Sequence, residues 1–385
     1  MKRLAPKASP PLTAALLAVV LLAGKGLAQQ PEPAKETRKE LPFLQVPVTV
    51  AKDVTMKVNA LAWFRYTWNQ SAQGATNGSA FSVRAARLKF SGDLPKKFKY
   101  SFMFAFERAN GATASQNSAL YDYMLIYAPT AYFNLTAGQF TVPVGAEVMT
   151  PTDQLDFASR YYAQDRILNP SFNHDVGVMA SGKALDQRLQ YWLGVFNGSG
   201  ANLTANDNGD MLYASRLQWV PVKAKLLGLD STLTLGGNAM WKRTMADPSS
   251  LKSTDLAAVS FQYPYHRIVY GGDLAWKLGP ARLSGEFIGA RLDGQVKDPD
   301  VRAYGWHVTA ACRFLSEKLE ALVRYQVYDP YTRVKARTDM DWTTLGLNWF
   351  INGQNLRLTV NHTIKNERID RVRNDESVAQ LQVGF

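Results

Sequence analysis

Val378-Ala379-Gln380-Leu381-Gln382-Val383-Gly384-Phe385 alternates without a break. Ala379, Leu381, Val383 and Phe385 share one face, and Gln380 and Gln382 share the other. Period two over eight residues is a β-strand signature. The same pattern recurs upstream. In Val58 to Trp68 the even positions are apolar or aromatic, while Asn59, Arg65 and Thr67 lie opposite. Phe102, Phe104 and Phe106 oppose Lys99, Ser101 and Glu107. Leu233, Leu235, Ala239 and Trp241 oppose Thr232, Thr234, Asn238 and Lys242. Leu345, Leu347 and Trp349 oppose Thr344, Gly346 and Asn348, and Leu356, Leu358 and Val360 oppose Arg357, Thr359 and Asn361.

The connections between these segments come in two kinds. Asp93 to Lys96, Ala128 to Thr130, Leu278 to Pro280 and Ile351 to Gln354 are short. Ser71 to Ala80, Asn110 to Ser118, Asn197 to Asp210, Arg243 to Asp255, Asp293 to Arg302 and Asp329 to Asp339 are long and polar. Short turns at one end and long loops at the other are the layout of an outer-membrane barrel. The expected fold is all-β: a sixteen-stranded antiparallel transmembrane β-barrel over residues 55–385. That allots about 21 residues to each strand with its connection, enough for a strand of about 10 residues crossing a thin membrane. Such a barrel is too wide for side chains to fill, so the expected lumen holds water. Tyr121, Tyr123, Tyr127, Tyr213, Trp219, Trp241, Trp306, Trp342 and Trp349 are the expected aromatic girdles, unless some are core residues.

Composition agrees. Of the 385 residues 46% are hydrophobic, 11% aromatic and 20% charged, which excludes a polytopic helical membrane protein and a disordered chain. A lone cysteine, Cys312, excludes an intramolecular disulfide framework. At the N-terminus, Lys2, Arg3 and Lys7 precede an apolar stretch from Leu12 to Ala23 and a small-residue site at Gly26-Leu27-Ala28. Residues 1–28 read as a secretory signal peptide. Its removal takes away four bases and leaves 40 bases against 32 acids, a net charge of +8. Residues 29–54 are the expected flexible lead-in, rich at first in Pro, Glu and Lys. A chain exported in this way has little reason to meet nucleic acid.

Phase decides which charges face inward. It places Arg65, Arg87, Lys89, Lys99, Arg216, Lys242, Arg267, Lys277, Arg313, Arg324, Arg357 and Lys365 inside, with Glu107, Asp122, Asp273, Glu286 and Glu320 as the acids. Twelve bases against five acids favour anions. Each base can also be a wall charge or half of a structural ion pair. Arg84 falls on the outward phase, so it marks either an interface or a bulge that shifts the register. The third long loop, Thr141 to His174, is the longest interruption. It carries Arg160 and Arg166 together with Asp153, Asp156 and Asp165. A segment of 34 residues is costly to order unless it packs on a surface. An inward fold against the barrel wall provides one, and a lid outside the mouth is the alternative.

Four stretches resemble the porin O and P family, the phosphate-selective porins: Phe81 to Gly92, Ala137 to Gly145, Trp192 to Gly200 and Gly346 to Asn352. Their order and spacing match across roughly residues 55–385. The resemblance implies a homotrimeric outer-membrane channel with an Arg- and Lys-lined lumen and the third loop as a constriction, passing small anions such as phosphate. The terminal strand ending on Phe385 is similar to the signal that bacterial barrels present to the assembly machinery. Two other readings remain: a general, weakly selective porin, and a secreted β-sheet protein that binds polysaccharide on its aromatics. An enzyme is not expected. His174, His266, His307 and His362 are scattered, no nucleophile elbow occurs, and Gly198-Ser199-Gly200 opens no helix. No cofactor or metal is expected.

Overall fold

The computed structural model describes residues 48–70, 78–108, 119–168, 173–202, 206, 209–244, 265–293, 300–333, 339–368 and 372–385. The signal peptide, most of the lead-in and the centres of several long loops lie outside the described residues.

A short strand, β1 (Val48–Ala51), precedes the barrel. The barrel strands are β2 (Val54–Asn69), β3 (Gly78–Leu94), β4 (Phe98–Ala105), β5 (Leu120–Tyr127), β6 (Asn134–Thr141), β7 (His174–Ala184), β8 (Leu189–Phe196) and β9 (Leu212–Leu226). They continue as β10 (Leu229–Thr244), β11 (Tyr265–Leu278), β12 (Ala281–Asp293), β13 (Asp300–Phe314), β14 (Leu319–Asp329), β15 (Met340–Asn352), β16 (Leu356–Glu367) and β17 (Glu376–Gly384). Each pairs antiparallel with the next, and β17 pairs with β2 from Glu376↔Asn69 to Gly384↔Leu61. That last pairing closes a sixteen-stranded barrel. Closure leaves no edge, so every wall strand pairs on both sides where lipid offers no hydrogen bonds.

Outward positions are apolar and exposed. Phe64, Tyr66, Phe81, Val83, Tyr213, Leu217, Trp219, Leu345, Leu347 and Trp349 are among the exposed large hydrophobics. A surface of this kind suits lipid and not water. The short turns are tight. Leu227 and Gly228 both adopt positive φ, 53° and 78°, forming the two-residue turn whose twist matches a hairpin. Gly279, at φ 53°, opens the turn before Pro280.

Several expectations need correction. The last residues of the lead-in carry a strand: β1 pairs with the start of β2 through Val48↔Met56 and Thr49↔Thr55. Several strands exceed the expected length; β2 has 16 residues and β3 has 17. At about 3.3 Å per residue these exceed what a tilted crossing needs, so they extend past the membrane. Arg84 marks a bulge. Trp63 pairs with Ala85 and Phe64 with Val83, leaving Arg84 as the extra residue. Tyr121 is not a girdle residue, because a second irregularity between Met103 and Phe104 turns it inward with Asp122. Trp342 also faces inward, sharing phase with Met340 and Thr344 and packing at a tilt against Tyr162, ring centroids 4.8 Å apart. Finally, one side of the lumen is not filled with water. A cluster of Leu212, Met240, Val269, Ile288, Ala290, Leu292, Ala303 and Met340 packs there with Tyr161, Ala163, Ile167 and Leu168 of the third long loop.

Candidate functional site

The third long loop contains two short helices, α1 (Ala146–Met149) and α2 (Tyr162–Leu168). Its anchors are inward side chains on β2, β3, β12, β14, β15, β16 and β17, a set that only a segment inside the barrel can reach. Glu286 on β12 accepts the N–H groups of Ala146 and Glu147, both at 3.1 Å. Glu147 accepts the Tyr161 N–H at 2.7 Å and pairs with Arg324 on β14 at 2.5 Å. Asp156 pairs with Arg282 at 2.8 Å, and its carbonyl accepts from Asn348 at 2.9 Å. The Ala158 N–H donates to Asn361 at 2.8 Å, and the Ala158 carbonyl accepts from Arg65. Tyr162 N–H donates to Gln326 at 2.8 Å, and Gln382 donates to the Asp153 carbonyl at 3.1 Å.

Small wall residues make the seat. A Cβ at Gly305 would collide with Ala163 of α2, and one at Gly346 would crowd Phe157. The loop also carries perturbed groups. Burial, aided by repulsion from Glu147, pushes the Asp165 carboxyl up to about 6. Burial beside Glu286 and Glu147 holds the Tyr161 phenol well above its ordinary value.

The loop divides the inward bases into two groups. Most are structural. Arg216 makes a two-bonded ion pair with Asp273 at 2.6 and 3.0 Å. Lys242 donates to the Gly198 carbonyl and is buried, as is Arg267. Arg357 binds Gln354 at 2.8 Å and Gln382 at 3.2 Å. Arg65 binds Gln380 at 2.9 Å. Arg313 pairs with Glu320 at 3.3 Å over the Phe350 ring. Lys365 pairs with Glu376 at 3.4 Å, and Arg166 lies over Tyr162 at 4.8 Å. Lys99 is exposed near the short-turn end beside Asp93 at 3.5 Å.

Arg87, Lys89 and Arg160 come together. They line one cavity of about 440 Å³ between the loop and β2–β5, with Asn59, Leu61, Met103, Tyr121, Asp122, Met149, Thr152 and Asp153. Arg87 is held on three sides. It bonds Glu107 at 2.7 Å and Thr152 at 2.8 Å, and lies over Tyr121 at 4.7 Å. His174 contacts Asp122 at 3.1 Å. Among the described residues Lys89 has no carboxylate partner; Arg160 donates to the Thr150 carbonyl at 3.1 Å and its charge acts on the Asp165 carboxylate.

One inward base escaped the reading by phase. Arg282 shares the parity of Glu286 on β12, so alternation alone could have found it. Among the described residues no group of His, Cys, Asp or Glu could hold a metal, and no helix is long and apolar enough to cross a membrane.

A family model described as phosphate-selective porin O and P matches residues 54–385. Curated protein sequences give no match. Among solved structures, the chain is similar to an anion-selective porin from Comamonas acidovorans, at 12% identity and a TM-score of 0.61, covering 86% of this chain and 100% of that one. It is similar to the outer membrane channel DcaP of Acinetobacter baumannii, at 12% identity and 0.56, covering 88% and 99%. It is also similar to OmpT, an outer membrane protein of Vibrio cholerae solved in a trimer form, at 11% identity and 0.58, covering 86% and 100%. At such identities the likeness concerns the fold.

Proposed function

The chain belongs to the phosphate-selective porin O and P family, and from that premise we propose that it passes small anions, phosphate and other oxyanions included, across the Gram-negative outer membrane by passive diffusion. One observation carries the sign of the charge. Lys89 lines the lumen cavity beside Arg87 and Arg160 and has no carboxylate partner among the described residues, so its charge is available to a passing ion. A basic lining of this kind raises the local concentration of anions and lowers that of cations. The similar anion-selective porin from Comamonas acidovorans supports the same reading.

Residues 1–28 are the export signal in this proposal, and the barrel is delivered to the assembly machinery through its last strand. The channel is a homotrimer, as the trimer form of the Vibrio cholerae protein supports. A general, weakly selective porin is the second reading. Asp122 and Asp153 line the same cavity as the bases and temper its field, which favours this alternative. Planar-bilayer recording separates the two: the reversal potential in a potassium chloride gradient should lie on the chloride side. A value near zero would leave the general porin, and a value on the potassium side would reject both the anion preference and its basis in Lys89.

A further inference from the structure

The lumen cavity is basic, but it is also greasy. On the wall, Leu61 is the cross-strand partner of Arg87, while Asn59 and Met103 flank Lys89. The Tyr121 ring is already taken by the Arg87 guanidinium at 4.7 Å and the His174 ring at 4.2 Å, while the loop contributes Met149 opposite. Inward apolar side chains beside a water path cost stability unless something apolar covers them.

Inorganic phosphate is a poor match for this lining. It carries more than one negative charge at neutral pH, is strongly hydrated, and needs donors on every side once water is stripped away. The guanidinium of Arg87 is already shared among Glu107, Thr152 and the Tyr121 ring. Lys89 and Arg160 then offer charge on one side, and thioether and leucine surface lies beside it. A ligand with one anionic end and a compact apolar body satisfies both.

Building on the anion-channel reading, we propose that this cavity is a subsite for organic monocarboxylates with an aromatic or alicyclic body, in preference to inorganic phosphate. The carboxylate meets Lys89 and Arg160. The body lies on Leu61, Met103 and Met149, whose flexible thioethers adapt to a flat or puckered ring.

The test uses the full chain in planar bilayers. Chloride current is recorded while benzoate, cyclohexanecarboxylate, acetate or inorganic phosphate is titrated in. The two ring carboxylates should block at concentrations about tenfold below acetate and phosphate, the ratio for burying one to two further methylene equivalents. Lys89→Gln should raise the blocking concentration for all three carboxylates. Met103→Asn and Leu61→Asn, two variants so that a folding defect in one does not decide the matter, should narrow the ratio of benzoate to acetate. An anion-selective channel blocked by phosphate below benzoate, or a ratio unmoved by both apolar variants, would overturn this proposal alone. A cation-selective channel would overturn the anion reading on which it rests.

Discussion

The two halves of the lumen use the same residue types for opposite purposes. Against β9 to β16, arginines are locked in ion pairs: Arg324 grips Glu147 and Arg282 grips Asp156 of the loop, and Arg216 is tied to Asp273 of the wall. Against β2 to β5, Lys89 and the loop's Arg160 face an open cavity. Parity along a strand cannot distinguish the two, because every one of these bases points inward. What separates them is cover. A base beneath the loop must find a carboxylate or a carbonyl, because an unpaired buried charge is prohibitive. A base left in water need not.

Removing the cover tests this contrast most severely. Replacing residues 152–168 by a short Gly-Ser linker should raise single-channel conductance severalfold and expose the packed half to water-soluble reagents; an unchanged conductance would mean that the loop does not limit the path. Next, Arg324→Ala leaves Glu147 buried without its partner. The cost should be about 3–5 kcal/mol, read as a lower unfolding temperature in heat-dependent gel mobility and as faster proteolysis of the loop. The open half should respond in selectivity instead. Lys89→Glu should move the reversal potential toward cations with a smaller loss of stability than Arg324→Ala. A larger loss would place Lys89 with the clamps.

A subtler comparison uses pH. Burial raises Asp165 from its ordinary 3.8 to about 6. Between those values the docked loop binds more protons than the free loop, so docking weakens as pH rises from about 4 to 6 and stays weakened above it. Loop proteolysis should therefore be severalfold faster at pH 7.5 than at 4.5 in the wild type. It should lose that difference in Asp165→Asn; persistence of the difference would assign it to another group. The smallest effect concerns Phe385, which exchanges both main-chain bonds with Ala60 at 2.7 and 3.0 Å. Deleting it should cost about 1–2 kcal/mol and lower the yield of assembled protein in outer-membrane fractions.

Much of the barrel was legible because alternation is a local property. Gln380, Asn361, Asn348 and Arg65 fall inward as their parity dictates, and four of the acids assigned inward, Glu107, Asp273, Glu286 and Glu320, bond partners inside the barrel. The failures have local causes too. At Arg84 and Tyr121 an extra residue interrupts the pairing, and nothing in the neighbouring sequence announces it. Trp342 was misplaced because tryptophan suits a girdle as well as a core. The functional division of the bases was not legible at all. It depends on Glu147 finding Arg324, 177 positions away, and on Gly305 leaving room for Ala163. Such pairings follow from where the loop lands and leave no periodic trace.

The loop's landing site includes the seam where the chain closes on itself. Arg65 on β2 bonds Gln380 on β17 and the Ala158 carbonyl of the loop, and Gln382 on β17 bonds both Trp63 on β2 and the Asp153 carbonyl. Strand β17 is the last to be made, so these contacts cannot form until the whole barrel has been translated and zipped. The loop thus clasps the seam as well as narrowing the lumen, while Glu286, Arg324, Asn348 and Asn361 hold it to the rest of the wall.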